Sequence, residues 1–295
     1  MFAALVRALV VLTVMAAAPA KADNYPSRNV ELIVPFAAGG GTDLLARLMS
    51  EGLGKQLNQS FIPLNRPGAN TNTGTLQAVK SAPDGYTLVM ASIGLAANPS
   101  LYKRLAFNPL TDLEPITLIA NSPTVLVVPP SFPANNLQEF ITLMKARPGE
   151  FNYASYGIGS GPHLATELFK FRAKINLTHI PYGGAGPSLQ AVLSNATQLG
   201  AFSLGSAATH MSAGTMRALV HTGAGRMADF PAVPNMTEAG FPNSDSETFQ
   251  VLVAPAGTPQ DIVDRVSKEV ITIVKRPDVR ETLRQTGFTV IGGEP

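Results

Sequence analysis

Three runs of small and hydroxyl-bearing residues carry whatever chemistry this chain performs. The first is Phe36-Ala37-Ala38-Gly39-Gly40-Gly41-Thr42-Asp43, between an apolar run and a helical pattern. Its glycines let a ligand approach the backbone, and unpaired N–H groups at a helix start attract anions. A phosphate loop needs a Lys-Ser/Thr pair where Thr42-Asp43 stands, and a dinucleotide turn needs G-x-G-x-x-G, which three adjacent glycines do not supply. Two readings remain, a backbone cradle for a small organic anion and a plain structural turn. The second run, Tyr153 to Leu164, holds Ser155, Gly157, Gly159, Ser160 and His163. Ile158 and Pro162 stand where a nucleophile elbow around Ser160 would need glycines, so serine hydrolysis is poorly supported. Ser155 and Ser160 instead offer hydroxyls beside backbone N–H groups, a neutral site for a carboxylate, or Ser160 simply caps the next helix. In the third run, His179 to Pro187, Tyr182 either packs on a ligand or fills a half-buried position, with Gly183 beside it.

Charged residues add little to these runs. His163 and Glu167 lie one helical turn apart, but a third metal ligand is not visible, and His179, His210 and His221 fall in separate elements without H-E-x-x-H spacing. Arg47 reads as the helix-surface partner of Asp43, and Arg66 as either a loop brace or a clamp on a second carboxylate. No pair of carboxylates, Ser-His-Asp order or cofactor fingerprint emerges. The expectation is therefore a binding protein with no catalytic residue, no metal and no cofactor.

Positioning these runs requires an alternating frame. Val30 to Val34 predicts a buried strand, Asp43 an N-cap for a helix with Leu44, Leu45, Leu48 and Met49 on one face, and Phe61 to Leu64 and Tyr86 to Met90 further strands. Helices are expected over Thr75 to Lys80 and Pro99 to Arg104. Strands over Ile116 to Ala120 and Val125 to Val128, separated by Asn121-Ser122-Pro123, mark a domain crossover, after which the strand–helix rhythm resumes. Ile262, Val266, Val270 and Ile273 recur at helical spacing and predict a core-facing helix near the C-terminus. The frame is an α/β fold in which carboxyl-end loops bind the ligand.

Residues 1–22 read as a secretory leader, with Arg7, the apolar run Ala8 to Ala18 and an A-x-A cleavage site at Ala20-Lys21-Ala22. The run is shorter than the about 20 residues that span a bilayer core. The whole chain carries a formal net charge of +2, which becomes zero once Arg7 and Lys21 leave with the leader. A neutral chain without a basic run has no electrostatic footprint for nucleic acid or an anionic membrane. The absence of cysteine removes disulfides, thiolate metal sites and cysteine nucleophiles.

An ordered series of motifs joins these runs: Val34-Pro35-Phe36 with Gly39 to Asp43, Asn65-Arg66-Pro67-Gly68-Ala69, Pro83-Asp84-Gly85-Tyr86-Thr87-Leu88, Ala154-Ser155 with Gly157, Gly159 and Ser160, Pro181-Tyr182, and Ala254-Pro255-Ala256-Gly257-Thr258-Pro259. From about Tyr25 onward the chain resembles the Bug family, the extracytoplasmic solute-binding proteins of tripartite tricarboxylate transporters. The resemblance implies a type II periplasmic binding protein fold, two α/β lobes joined by a two-crossing hinge. Its expected division is 23–122 and 250–295 for lobe 1 and 123–249 for lobe 2. It implies a periplasmic monomer that grips a small carboxylated solute mainly through loop backbone groups and ordered water. The solute is delivered to membrane subunits of the tripartite type or reported to a sensor kinase; an enzyme on a similar scaffold is the alternative. Carried over residue by residue, Phe36 to Asp43 and Ser92 contact the ligand from one lobe, and Ser155 to His163, Tyr182 to Gly186, and Phe202-Ser203 from the other. Asn70-Thr71-Asn72-Thr73-Gly74 departs from the usual glycine-asparagine-isoleucine-glycine pattern near the mouth, Gln198 stands where Asp is usual, and Phe249 where Trp is usual. Relatives typically continue past the position of Pro295 into a further helix, so the resemblance implies a shortened sequence.

Overall fold

The computed structural model describes residues 25–293, and the expected leader at 1–22 lies outside them. Strands β1 (Val30–Val34), β2 (Phe61–Asn65) and β3 (Thr87–Ser92) pair in parallel, linked by helices α1 (Gly41–Leu57) and α2 (Asn72–Val79) and followed by α3 (Gly94–Leu101). Val30, Leu32, Ile33 and Val34 are fully buried, as a strand covered on both faces must be. The second lobe contains α4 (Leu137–Ala146), β5 (Asn152–Ser155), α5 (Gly161–Ala173), β6 (Thr178–Pro181), α6 (Ala185–Leu193), β7 (Leu199–Ser203), α7 (Leu204–Ser212) and β8 (Arg217–His221). Its strand β5 runs parallel to both β6 and β7.

Two long strands connect the lobes. β4 (Leu113–Val128) and β9 (Glu247–Pro255) pair antiparallel from Leu113 opposite Pro255 to Pro123 opposite Glu247. β9 also pairs with β3, and β4 with β7 and β8, giving the strand order β2-β1-β3-β9-β4-β7-β5-β6. The two strands expected at Ile116 to Ala120 and Val125 to Val128 are thus one. Asn121-Ser122-Pro123 looks like a break in sequence, yet each of these residues has a partner in β9, so pairing overrides the local turn signal. The helix expected from Pro99 begins at Gly94 instead, with Pro99 in its interior.

Each lobe has its own core. Leu32, Leu45, Met49, Leu53, Met90 and Leu252 pack with Val266, Val270 and Ile273 of α8 (Gln260–Lys275) in the first. Leu126, Phe140, Met144, Tyr153, Phe169 and Leu199 form the centre of the second. Helix α9 (Pro277–Gln285) and strand β10 (Thr289–Gly293), which pairs with β4, close the first lobe. Helices α1 and α8 approach closely at Gly52, where an added Cβ would lie 2.8 Å from Ile273 Cδ1. Gly52→Val is therefore expected to destabilise the protein by about 1–3 kcal/mol through overpacking. A lowered urea midpoint at unchanged slope is the readout, and an unchanged midpoint would show that the helices move apart freely.

Candidate functional site

A cavity lies between the lobes and against the crossing strands. From the first lobe it is lined by Phe36, Ala37, Gly40, Gly41, Thr42, Asn70, Ser92, Ile93 and Gly94. Facing them are Tyr156, Ser160, Gly161, Pro162, Ala185 and Ser203, with Thr248 and Gln250 of β9 as the hinge wall. The lobes touch around it. The Gly41 N–H donates to Ser206 Oγ at 3.3 Å, and Cβ atoms built on Gly40 and Gly159 would meet Ala185 Cβ at 3.3 Å and Asn70 Nδ2 at 2.5 Å.

Five helices begin at this cavity. Gly40 is the N-cap of α1, Ile93 of α3, Ser160 of α5 and Ser203 of α7, and Ala185 is the first residue of α6. Each start carries the positive end of a helix dipole and first-turn N–H groups without intrahelical partners, of which Gly41 donates to Ser206 and His163 to the Ser160 hydroxyl. No lysine, arginine, histidine, aspartate or glutamate is among the lining residues. The site is uncharged in its side chains and positive in its backbone, which suits a small anion.

Asp43 lies just outside the lining and braces the first jaw. It is not the N-cap expected from the sequence but sits in the first turn of α1, and its carboxylate reaches back to accept from the Gly39 N–H at 3.0 Å. Arg47 Nε and Nη2 donate to its two oxygens at 3.0 and 3.1 Å, and Asn65 Nδ2 donates at 2.8 Å. Burial alone would raise this carboxyl, but the bonds from Arg47, Gly39 and Asn65 outweigh it and hold it below the usual carboxylate range. Arg66 contacts the Asn65 carbonyl at 3.3 Å and does not reach the cavity.

On the other lobe, a stacked aromatic network supports the loop before α5. The His179 ring lies between Tyr153 and His163, with centroids 4.7 and 4.4 Å away. Ser155 Oγ is 2.7 Å from His179 Nε2, and the Gly159 N–H donates to His163 Nδ1 at 3.1 Å. Glu167 accepts from Tyr153 Oη and from Lys170, each at 2.6 Å. Burial pushes His179 down to about 4; His163 and Lys170 add to the shift and Glu167 opposes it. Burial also lowers His163, again opposed by Glu167. A Ser-His contact invites a nucleophilic reading, but Ser155 is fully buried and outside the cavity lining, and no carboxylate among the described residues is hydrogen-bonded to His179. Among the described residues there is also no group of three or more His, Cys, Asp or Glu residues that could hold a metal.

Of the residues singled out in the sequence, Phe36, Ala37, Gly40, Gly41, Thr42, Ser92, Ser160 and Ser203 meet at the cavity. Ala38, Gly39, Ser155, Gly157, Gly159, His163, Tyr182, Gly183 and Phe202 are not among its lining residues and stand beside or behind them. Phe202 is fully buried, stacked on Tyr156 at 6.1 Å, and Tyr182 packs partly buried against the same cluster. The Tyr156 hydroxyl accepts from the Ser203 N–H at 2.9 Å and lies 3.1 Å from Ser203 Oγ, tying the loop before α5 to the end of β7. Thr248 and Gln250 escaped sequence reasoning. Their signal was two polar residues at alternate positions of an otherwise apolar strand, which places both on one face.

A family model described as the tripartite tricarboxylate transporter family receptor matches residues 45–294. Protein BugT of Bordetella pertussis is 35% identical over 281 residues, spanning 95% of this chain and 86% of that protein. The structure of R. palustris Rpa4515 with adipate aligns at a TM-score of 0.90 and 33% identity, covering 92% of this chain and 91% of that one. MatC from Rhodopseudomonas palustris with bound malate aligns at a TM-score of 0.86 and 31% identity, covering 90% and 91%. An uncharged cavity ringed by helix starts, a two-strand hinge and similarity along almost the whole chain agree: the protein belongs to the tripartite tricarboxylate transporter family receptors, a family of periplasmic solute-binding proteins.

Proposed function

We propose that the protein captures a small carboxylated solute between its lobes and presents the closed form to membrane subunits of a tripartite tricarboxylate-type transporter. The observation that carries this reading is the convergence of five helix N-termini on a cavity without a cationic side chain. Such a site holds a carboxylate by N–H groups and hydroxyls fixed on rigid elements, and it touches the ligand from both lobes. Only a ligand with contacts that differ between the open and closed forms shifts that equilibrium. Adipate and malate in the two related structures support a carboxylated ligand here. The lobes in this reading are 23–122 with 250–295, and 123–249. The protein works after export to the periplasm; among the described residues no helix is long and apolar enough to cross a membrane.

Isothermal titration against mono-, di- and tricarboxylates, amino acids and nicotinate-like aromatics tests the proposal. Saturable 1:1 binding of at least one carboxylate is expected, accompanied by compaction in small-angle scattering. Silence from every carboxylate together with binding of another solute class would end the carboxylate assignment.

A further inference from the structure

The hinge wall of the cavity differs from its other walls. Gln250 pairs through its backbone with Ser92 of β3 and Ala120 of β4, so it sits where the crossings meet the first jaw. Its side chain is 97% buried by exposure of only 3%, lines the cavity, and leaves Oε1 without any hydrogen-bond partner. Buried amides in folded proteins are nearly always paired, and an orphan at a binding cavity marks a group whose partner arrives with the ligand. Ser92 cannot serve it, because the Ser92 hydroxyl donates to the Phe249 carbonyl at 2.8 Å. Beside Gln250, Thr248 also lines the cavity. Asn70, across the cavity, donates its Nδ2 to Asn98 Oδ1 at 2.7 Å.

The wall therefore offers one buried acceptor without a partner, Gln250 Oε1, opposite loops that offer donors. A carboxylate satisfies the helix starts but has no hydrogen to give to Gln250. A hydroxyl on the same molecule does, and so supplies the donor that the orphaned Oε1 needs. An ammonium group would find no carboxylate among the lining residues and would face the positive ends of five helices, since Asp43 is already committed to Arg47, Asn65 and Gly39. We infer that Gln250 reads a hydroxyl group, so that the preferred solute is a hydroxy-substituted carboxylate over its unsubstituted or amino counterpart. The inference rests on the carboxylate reading above and adds a specificity-determining residue to it.

Calorimetric titration of the wild-type chain with matched pairs tests it: lactate and propionate, malate and succinate, citrate and tricarballylate, with aspartate as the amino analogue of malate. The hydroxy acid of the pair that fits is expected to bind about 10- to 100-fold more tightly than its unsubstituted partner, the range set by leaving one buried polar group unpaired. Aspartate should bind more weakly than malate. In Gln250→Met, which keeps length and volume, the preference should shrink to about threefold or less. Equal affinity within every pair for the wild-type protein, or a preference that survives Gln250→Met, would overturn the assignment, and the wild-type comparison stands even if the variant folds poorly. If acids bind without regard to the hydroxyl, this inference alone fails. If no acid of either kind binds, the carboxylate reading fails with it.

Discussion

Gly40→Val is expected to lower affinity for the proposed carboxylate ligand by about 100-fold, equivalent to the ~3 kcal/mol upper cost of overpacking a tight contact, while stability changes by less than about 1 kcal/mol. The two effects separate because of where the new methyl groups go. Gly40 has φ −86° and ψ 169°, extended backbone that valine adopts readily, so the first lobe has no strain to absorb. Its Cβ position, however, points across the cleft to Ala185 Cβ at 3.3 Å. Two further carbons there hold the jaws apart, and a ligand that needs both jaws then binds only the fraction of molecules able to close. Isothermal titration and urea unfolding on the same preparation measure the two quantities. Equal losses in both would mean that Gly40 serves the fold of its own lobe and not the meeting of the two.

Acid should weaken both stability and capture through the paired histidines behind the second jaw. His179 titrates at about 4 in the folded protein because burial disfavours its cation, with His163 and Lys170 adding repulsion against the attraction of Glu167. In the unfolded chain an ordinary histidine titrates near about 6.5. Between those values the unfolded chain binds more protons, so stability rises with pH across the window and is lost as pH falls through it. A half-buried, partly screened imidazole makes this roughly 1–2 kcal/mol between about pH 7 and pH 4. Protonation of His163 at Nδ1 also removes the acceptor of the Gly159 N–H, which loosens the loop leading to Ser160. The difference between wild type and His179→Gln in urea unfolding at pH 4.5 and 7.5 isolates the effect from the titrating carboxylates. A variant with the same pH slope as the wild type would exclude His179 as its source.

Much of this arrangement was legible in the sequence for a physical reason. Strand β1 announces itself as an uninterrupted apolar run, and α8 through Ile262, Val266, Val270 and Ile273, because burial on both faces or on one stripe leaves a periodic trace. The glycine and serine loops were visible because a ligand held by backbone leaves small residues behind. Less visible was which loop residues reach the cavity and which stand behind it. Ser155 and His163 have the chemistry of ligand contacts, yet neither is among the cavity-lining residues: Ser155 Oγ contacts His179 Nε2, and His163 lies against the His179 ring and accepts from the Gly159 N–H. Phe202 likewise packs into the core. The hinge wall was missed entirely, because Gln250 earns its place through pairing with Ser92 and Ala120, partners more than a hundred residues away in the chain.

The lack of charged side chains around the cavity has a kinetic consequence as well. Helix dipoles act strongly at contact distance and fade within a turn, so the site casts little field into solution. Residues 23–295 carry a formal net charge of zero and add none. Arrival of an anionic solute should then be governed by diffusion and by how often the jaws open, with an association rate nearly independent of ionic strength, unlike sites that steer anions with arginine clusters. Such a receptor collects its solute at the same pace in dilute and in salty surroundings, and its selectivity is exercised only after the solute has entered.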